Sequence, residues 1–208
     1  SVFGGSTYPW KITSDAPGGH GGKVAYAPDP VEGDCSGSTS DISSSDAITT
    51  PAIKLPAGAV RAPRLSFDHY VATEFGWDGG NVQISINGGA FTTVPAAAYT
   101  FNVPTSINSA AQGNSNPLEG QDGFTGTDGG EVTGSWGQSQ IDLAAAGVEG
   151  GDSIKIRFDF GRDGCGGLDG WYVDNVSVSL CRVLTSTAVT AEPTQVKTGK
   201  PFKAKVTV

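Results

Sequence analysis

Ile154, Ile156, Phe158 and Phe160 occupy every second position of one run, and Lys155, Arg157 and Asp159 fill the places between. A period of two is the signature of a strand with one buried face and one wet face. The same spacing recurs in Val82, Ile84 and Ile86, and in Leu65, Phe67, His69 and Val71. No long window shows the 3.6-residue apolar spacing of a helix. Glycine supplies 31 of 208 residues and charged side chains only 16%. Such a mixture suits short strands joined by many turns. A chain of this length can enclose one sizeable sandwich core, or one domain plus a fragment.

The first stretch, to about Ser45, reads as loop-rich with a short apolar run around Val24 to Ala27. Ala47 to Leu55 reads as a strand closed by Pro56, and Pro51 inside it argues for an edge position or a bulge. Leu65 to Thr73 and Asn81 to Ile86 follow as strands. Asn87-Gly88-Gly89 is a hairpin turn, because Asn and Gly tolerate positive φ, and Phe91 to Val94 is the return strand. Pro104 to Gly130 has no clear period; a loop of that size is functional or packs as an ordered flap. Ile154 to Phe160 and Trp171 to Leu180 complete the unit, with Val176, Val178 and Leu180 expected inward. Leu184 to Ala191 and Phe202 to Val208 also read as strands. Two strands cannot bury a core. They read as the start of an immunoglobulin-like repeat, or as an extension that packs on the main domain. The expected architecture is all-β: a two-sheet antiparallel sandwich over residues 1–182, then a short two-strand tail over 183–208.

The net charge is -8, which repels phosphate backbones and excludes nucleic acid as a partner. No apolar run approaches the ~20 residues that span a bilayer. Cys35, Cys165 and Cys181 lie far from any CxxC spacing, so zinc is disfavoured. One disulfide and one leftover thiol suit an oxidising compartment. The chain opens on Ser1 and has no Met, so it reads as a mature or excised segment. Of the two histidines, neither lies in HExxH, and no G-x-S-x-G elbow is present. His69 falls on an apolar strand face and reads as a hydrogen-bonded core residue. Gly18-Gly19-His20-Gly21-Gly22 reads as turns. Asn175-Val176-Ser177 matches a glycosylation sequon but falls in a strand. No catalytic residue is expected.

Two acidic loops carry more information. Glu74 to Gly80 joins two strands, and Asp163 to Gly170 joins two others. Asp174 shares the parity of Val176 and Val178, which places it inside the sandwich, and a buried carboxylate needs a partner or a metal. Glu74, Asp78, Asp169 and Asp174 could converge on one Ca2+, with backbone carbonyls completing its oxygen shell. The alternative is that Asp174 caps loop amides and the others are solvated turn residues. Trp77 is a candidate stacking platform for a ligand, or a core residue; Trp136 and Trp171 read as core.

The stretch from Leu65 to Leu180 resembles the MAM-like jelly-roll domain of immune-inhibitor-A-type peptidases and bacterial fungalysin-type metalloproteases. Carrying the likeness are Leu65-Ser66-Phe67-Asp68-His69-Tyr70, Trp77-Asp78-Gly79-Gly80, Phe124-Thr125-Gly126, Gly161-Arg162-Asp163-Gly164-Cys165 and, most specifically, Gly170-Trp171-Tyr172-Val173-Asp174-Asn175-Val176. The resemblance implies a jelly roll that follows a covalently linked catalytic domain, often precedes immunoglobulin-like repeats, and holds a structural calcium through an Asp like Asp174. Such domains often begin with an acidic residue near an aromatic one, which Val2-Phe3-Gly4-Gly5 lacks.

Cysteine pairing follows from strand geometry. Trp171 to Leu180, fully extended, separates its ends by about 33 Å at roughly 3.3 Å per residue. Cys165 precedes that strand and Cys181 follows it, so they cannot come within the reach of a disulfide. The strand after Cys35 starts at the Cys165 end. The expectation is Cys35–Cys165, with Cys181 free. Together these readings describe a secreted, extracellular accessory module that binds a protein or carbohydrate ligand. A carbohydrate-binding module and an adhesion or spacer domain of a surface protein are the alternatives.

Overall fold

The alternating run becomes the central strand of one of two packed sheets. The structure is a computed structural model that describes residues 8–36, 40–57, 61–128, 132–181, 188–192 and 203–207. In chain order the strands are β1 (Lys11–Thr13), β2 (Val24–Pro28), β3 (Ser44–Thr49), β4 (Ile53–Lys54), β5 (Arg61–Ala72), β6 (Gly79–Ile86), β7 (Thr92–Thr93) and β8 (Tyr99–Phe101). They continue as β9 (Thr105–Ser106), β10 (Asp122–Gly123), β11 (Trp136–Asp142), β12 (Ser153–Arg162), β13 (Gly170–Cys181), β14 (Ala188–Glu192) and β15 (Lys203–Thr207). The helical segments among the described residues are three short 3-10 turns.

One sheet has the order β1-β2-β13-β5-β11-β8, and the other β3-β12-β6-β7 with β4 also on β12. All pairings are antiparallel. The chain repeatedly crosses from one sheet to the other, the winding expected of a jelly-roll sandwich. Ile154, Ile156, Phe158 and Phe160 of β12 meet Leu65 and Phe67 of β5, Ile141 of β11 and Trp171 of β13 in one core. Trp171 is 0% exposed. Its indole fits because the facing position on β6 is Gly80, where a Cβ would run into the ring. The Asn87-Gly88 turn has both φ values positive, 52° and 79°, as the hairpin requires.

Pro51 splits the expected Ala47–Leu55 strand into β3 and β4, both on β12, and β3 is a sheet edge. The register sets Ser44 opposite Arg162, so the start of β3 meets the end of β12. Cys35 and Cys165 are therefore neighbours and form a disulfide, with Cα atoms 5.1 Å apart. The described part of the Pro104–Gly130 stretch is an ordered flap. Phe124 and Gly80 exchange backbone hydrogen bonds of 2.7 and 3.0 Å, and Asn108 N–H donates to Gly76 O at 2.8 Å.

One strand carried no sequence signal and one reading needs correction. β11 pairs along seven residues with β5. Its inward positions include Gly137 and Ser139, so apolar alternation is absent. The parity of β13 also changes along its length. Asn175 adopts φ 50°, and the register slips between Asp174 and Ser177. This bulge leaves Trp171 and Val173 in the core before it and Val178 and Leu180 against the core after it. Val176, expected inside, is 39% exposed. β14 and β15 pair as an antiparallel hairpin. Residues 184–187 of the first tail strand, the Val2–Gly5 stretch and the Cys181 side chain lie outside what is described.

Gly80→Ala is expected to cost about 1–3 kcal/mol through overpacking against Trp171. Urea denaturation of the purified chain measures it, and Gly88→Ala serves to separate this from a turn effect, since nothing lies within 4 Å of a Cβ there.

Candidate functional site

Register gathers three connections at one end of the sandwich. Gly170, which opens β13, lies opposite Ala72, which closes β5, and opposite Pro28, which closes β2. Gly161 near the end of β12 lies opposite Gly79 at the start of β6. The loops after β2, β5 and β12 thus converge, each bringing carboxylates. Asp78 is 1% exposed. Its Oδ1 accepts the Asp163 backbone N–H at 2.6 Å. Asp163 Oδ1 accepts the Cys165 N–H at 3.0 Å. Asp29 from the β2 loop, also 1% exposed, accepts the Leu168 N–H at 3.3 Å. Glu74 is half-buried, and its carboxylate lies against Gly166, whose φ of 89° and lack of side chain leave it room.

Ligand oxygens of Glu74, Asp78 and Asp163 lie within 4.8 Å of one another. Oxygens bound to a single Ca2+ at 2.3–2.6 Å are separated by no more than about 5 Å. Burial pushes the Asp29 carboxyl up to about 7, and the charge of Asp163 adds to it. Burial raises Asp78 well above the ordinary carboxylate range, and Asp29 beside it raises it further. Glu74 is raised by burial and then by Asp163. Asp163 is raised chiefly by burial as well. The cation that reaches this group is Arg162, but its guanidinium is engaged elsewhere. It pairs with Asp46 at 3.0 Å and donates to Pro28 O at 2.6 Å and Tyr8 O at 2.9 Å. Burial and mutual repulsion thus favour the protonated forms of these acids.

The structure divides the four acids read from the sequence as one calcium set. Glu74 and Asp78 come together. Asp169 turns to the outer face, where its Oδ1 accepts from Tyr172 OH at 2.9 Å and Tyr26 OH at 3.2 Å. Asp174 does not enter the sandwich: the bulge leaves it on the outer face, half-buried, paired with His20 Nε2 at 2.9 Å. Asp163 and Asp29 take the places beside Glu74 and Asp78. Asp163 was legible as part of the second acidic loop; Asp29, an isolated acid before Pro30, carried no local signal. Trp77 is half-buried and lines a cleft of about 360 Å³ with Cys35, Asp41, Glu74 and Asp163. Its carbonyl is held by Asn116 Nδ2 at 2.8 Å. Trp171 is core as expected, whereas Trp136 sits on the outer face, its ring stacked 3.8 Å from His20.

His69 is buried and lies beside a hydroxyl, the arrangement that would raise the question of a hydrolase. Trp171 Nε1 donates to His69 Nδ1 at 3.1 Å. An indole N–H can only donate, so Nδ1 bears no proton and Nε2 carries it. Nε2 faces Ser139 Oγ at 2.9 Å. In this tautomer Nε2–H donates to Ser139 Oγ, and the serine hydroxyl donates in turn to Asn102 O at 3.0 Å. Burial pushes the ring down to about 4, so it is neutral at physiological pH. The pair is tied into the hydrogen bonding of the core through Trp171 and Asn102 O.

No family model matches the chain, and a search of curated proteins finds no match.

In chelator the buried acids make stability depend on pH. A carboxyl whose folded pKa is raised contributes fully below its unfolded value and loses that contribution as pH rises, here from about 4 through about 7. His69 acts in the opposite sense, its contribution being lost as pH falls from about 6.5 through about 4. The acids are isolated by a difference. Asp78→Asn keeps an oxygen for the Asp163 N–H and removes a charge. Without metal it should be more stable than the wild type at pH 8, and the gap should close toward pH 4. Paired denaturation series across that range measure it.

Proposed function

We propose that this chain is a non-catalytic accessory module of a secreted bacterial metalloprotease, ordered by one structural calcium ion and serving in substrate or surface binding. The observation that carries the calcium is the buried group of Asp29, Asp78, Asp163 and Glu74, whose nearby cation Arg162 is already committed to Asp46. Glu74, Asp78 and Asp163 are the residues that would hold the ion, and Asp29 stands beside them. The ion would supply the positive charge that these carboxylate oxygens coordinate, and so tie the β5–β6 and β12–β13 loops together. Asp169 and Asp174 are not part of this set.

Kinship with the protease-linked MAM-like domains is supported by the sequence motifs, and the two-sheet sandwich agrees with it. In this reading the β14–β15 hairpin begins a following immunoglobulin-like unit. The disulfide, and the absence among the described residues of a helix long and apolar enough to cross a membrane, are compatible with an extracellular site. The core hydrogen bonding of the His69–Ser139 pair supports the non-catalytic assignment.

A thermal melt tests the ion. A ligand that binds only the folded state stabilises it by about 2.7 kcal/mol at a hundred times its Kd. Millimolar calcium should raise the melting temperature by several degrees over chelator, and Asp78→Asn or Asp163→Asn should erase most of that shift. An unchanged melt would refute the calcium site. A parent reading frame without a peptidase domain would refute the accessory role.

A further inference from the structure

The outer face of the six-stranded sheet is organised in rows. Register sets Trp136, Tyr70, Tyr172, Tyr26 and Lys11 side by side across five strands. The turn at residues 17–20 covers one end of this aromatic row: Trp136 Nε1 donates to Pro17 O at 2.8 Å, and His20 stacks on the indole. The next row is Gln138, Asp68 and Asp174. Beyond it lie Phe101, Gln140, Ser66 and Ser177, on β8, β11, β5 and β13. Arg64 stands in the row after that.

The wet face of an antiparallel sheet is ordinarily polar, with its long side chains free in water. Here they are joined edge to edge. Arg64 Nη1 donates to Gln140 Oε1 at 2.7 Å, Gln140 Nε2 to Gln138 Oε1 at 2.7 Å, and Gln138 Nε2 to Asp68 Oδ1 at 3.1 Å. Asn175 Nδ2 closes the chain on Asp68 Oδ2 at 2.8 Å. Asn175 reaches Asp68 through its left-handed backbone and the bulge around it. Bulges commonly re-aim a side chain beside a functional surface, and a non-glycine residue at positive φ holds strain that the surroundings must sustain. Beside Gln140, Phe101 is 58% exposed, and it lies on the edge strand β8.

We infer that this face is a binding platform for a neutral polysaccharide. Gln138 and Gln140 each use one N–H and one oxygen lone pair within the relay, and so retain another of each for a ligand. A sugar hydroxyl both donates and accepts, and matches such a mixed surface. The relay carries Arg64 and Asp68 together, and Asp174 beside Asp68 is paired with His20, so the relay offers neither the excess of donors that a polyanion needs nor the excess of acceptors that a polycation needs. The net charge of -8 further disfavours a polyanion. Phe101 supplies the apolar ring on which the C–H face of a sugar rests. The row of Phe101 and the row of Trp136 are four residues apart along β11, about 14 Å, which accommodates a short oligosaccharide segment. Side chains already held in place lose less freedom on binding. The inference rests on reading the chain as a non-catalytic binding module, and it is independent of the calcium ion.

Native affinity electrophoresis of the full chain through gels containing β-glucan, xylan or galactomannan tests it, with alginate as the polyanion control. Retardation by at least one neutral polysaccharide is expected, with none by alginate. Gln138→Ala, Gln140→Ala and Phe101→Ala should each weaken it at least about tenfold. Ser177→Trp, which blocks the floor of the face from an exposed position, should do the same and guards against a folding defect in the deletions; each variant is melted alongside. Absence of retardation by all three neutral polymers overturns the inference. So does retardation by alginate alone, or retardation that all four variants share with the wild type. Loss in Trp77→Ala with retention in the face variants would move the site to the loop cleft, and also overturns it. Calcium fails separately, as a melt unmoved by chelator while retardation persists.

Discussion

A single buried guanidinium holds the acid-rich loop end of the sandwich together. Arg162 is 1% exposed and sits at the last inward position of β12. It bonds the end of β2 through Pro28 O and the edge strand β3 through Asp46 and Ser44. Its plane lies over the Phe160 ring at 4.9 Å. One side chain thereby links strands of both sheets. A buried charge of this kind is costly unless every polar contact is met, and losing a partner leaves the remaining charge stranded. Arg162 carries one positive charge and pairs with Asp46, so its attraction for Asp29 and Asp78 does not balance the negative charge of the cluster. The excess negative charge of the loop cluster is thus a direct consequence of how the strand ends are tied.

The second organising element is the bulge at Asn175. It changes the parity of β13 midway, so that one strand supplies Trp171 and Val173 to the core at one end and Val178 and Leu180 at the other. Between them the strand turns Asp174 and Asn175 outward in succession. Asp174 engages His20 and holds the N-terminal turn over the aromatic row; Asn175 completes the amide relay. The core and the outer face therefore share one backbone irregularity. The indole of Trp171 also reaches both roles: it fills the core and, through its N–H, sets the tautomer of His69.

Strands whose inward residues are apolar were legible in the chain itself: β5, β6, β12 and most of β13, with the Asn87-Gly88 turn between β6 and β7. The Cys35–Cys165 bridge was legible too, because strand length and alternating direction leave few ways for cysteines to meet. β11 was not, since Gly137 and Ser139 face inward where His69 supplies the neighbouring bulk and takes up the serine hydroxyl. Glu74 and Asp78 were recognised as neighbours because they share a loop. Asp29 was not, because it joins them only through the pairing of β2 with β13, across 49 residues of chain to Asp78 (78 − 29).

Residue type and spacing by themselves determined that this chain forms an antiparallel sandwich, where its tightest turn falls, and that its loops are acid-rich. Those properties are local: alternation, positive φ and side-chain charge act within a few residues. Which acids meet, which face Asp174 takes, and which polar side chains form a continuous outer surface were decided by tertiary structure alone. Strand register and one inserted bulge residue set them, and a slip of a single residue sends every following side chain to the opposite face.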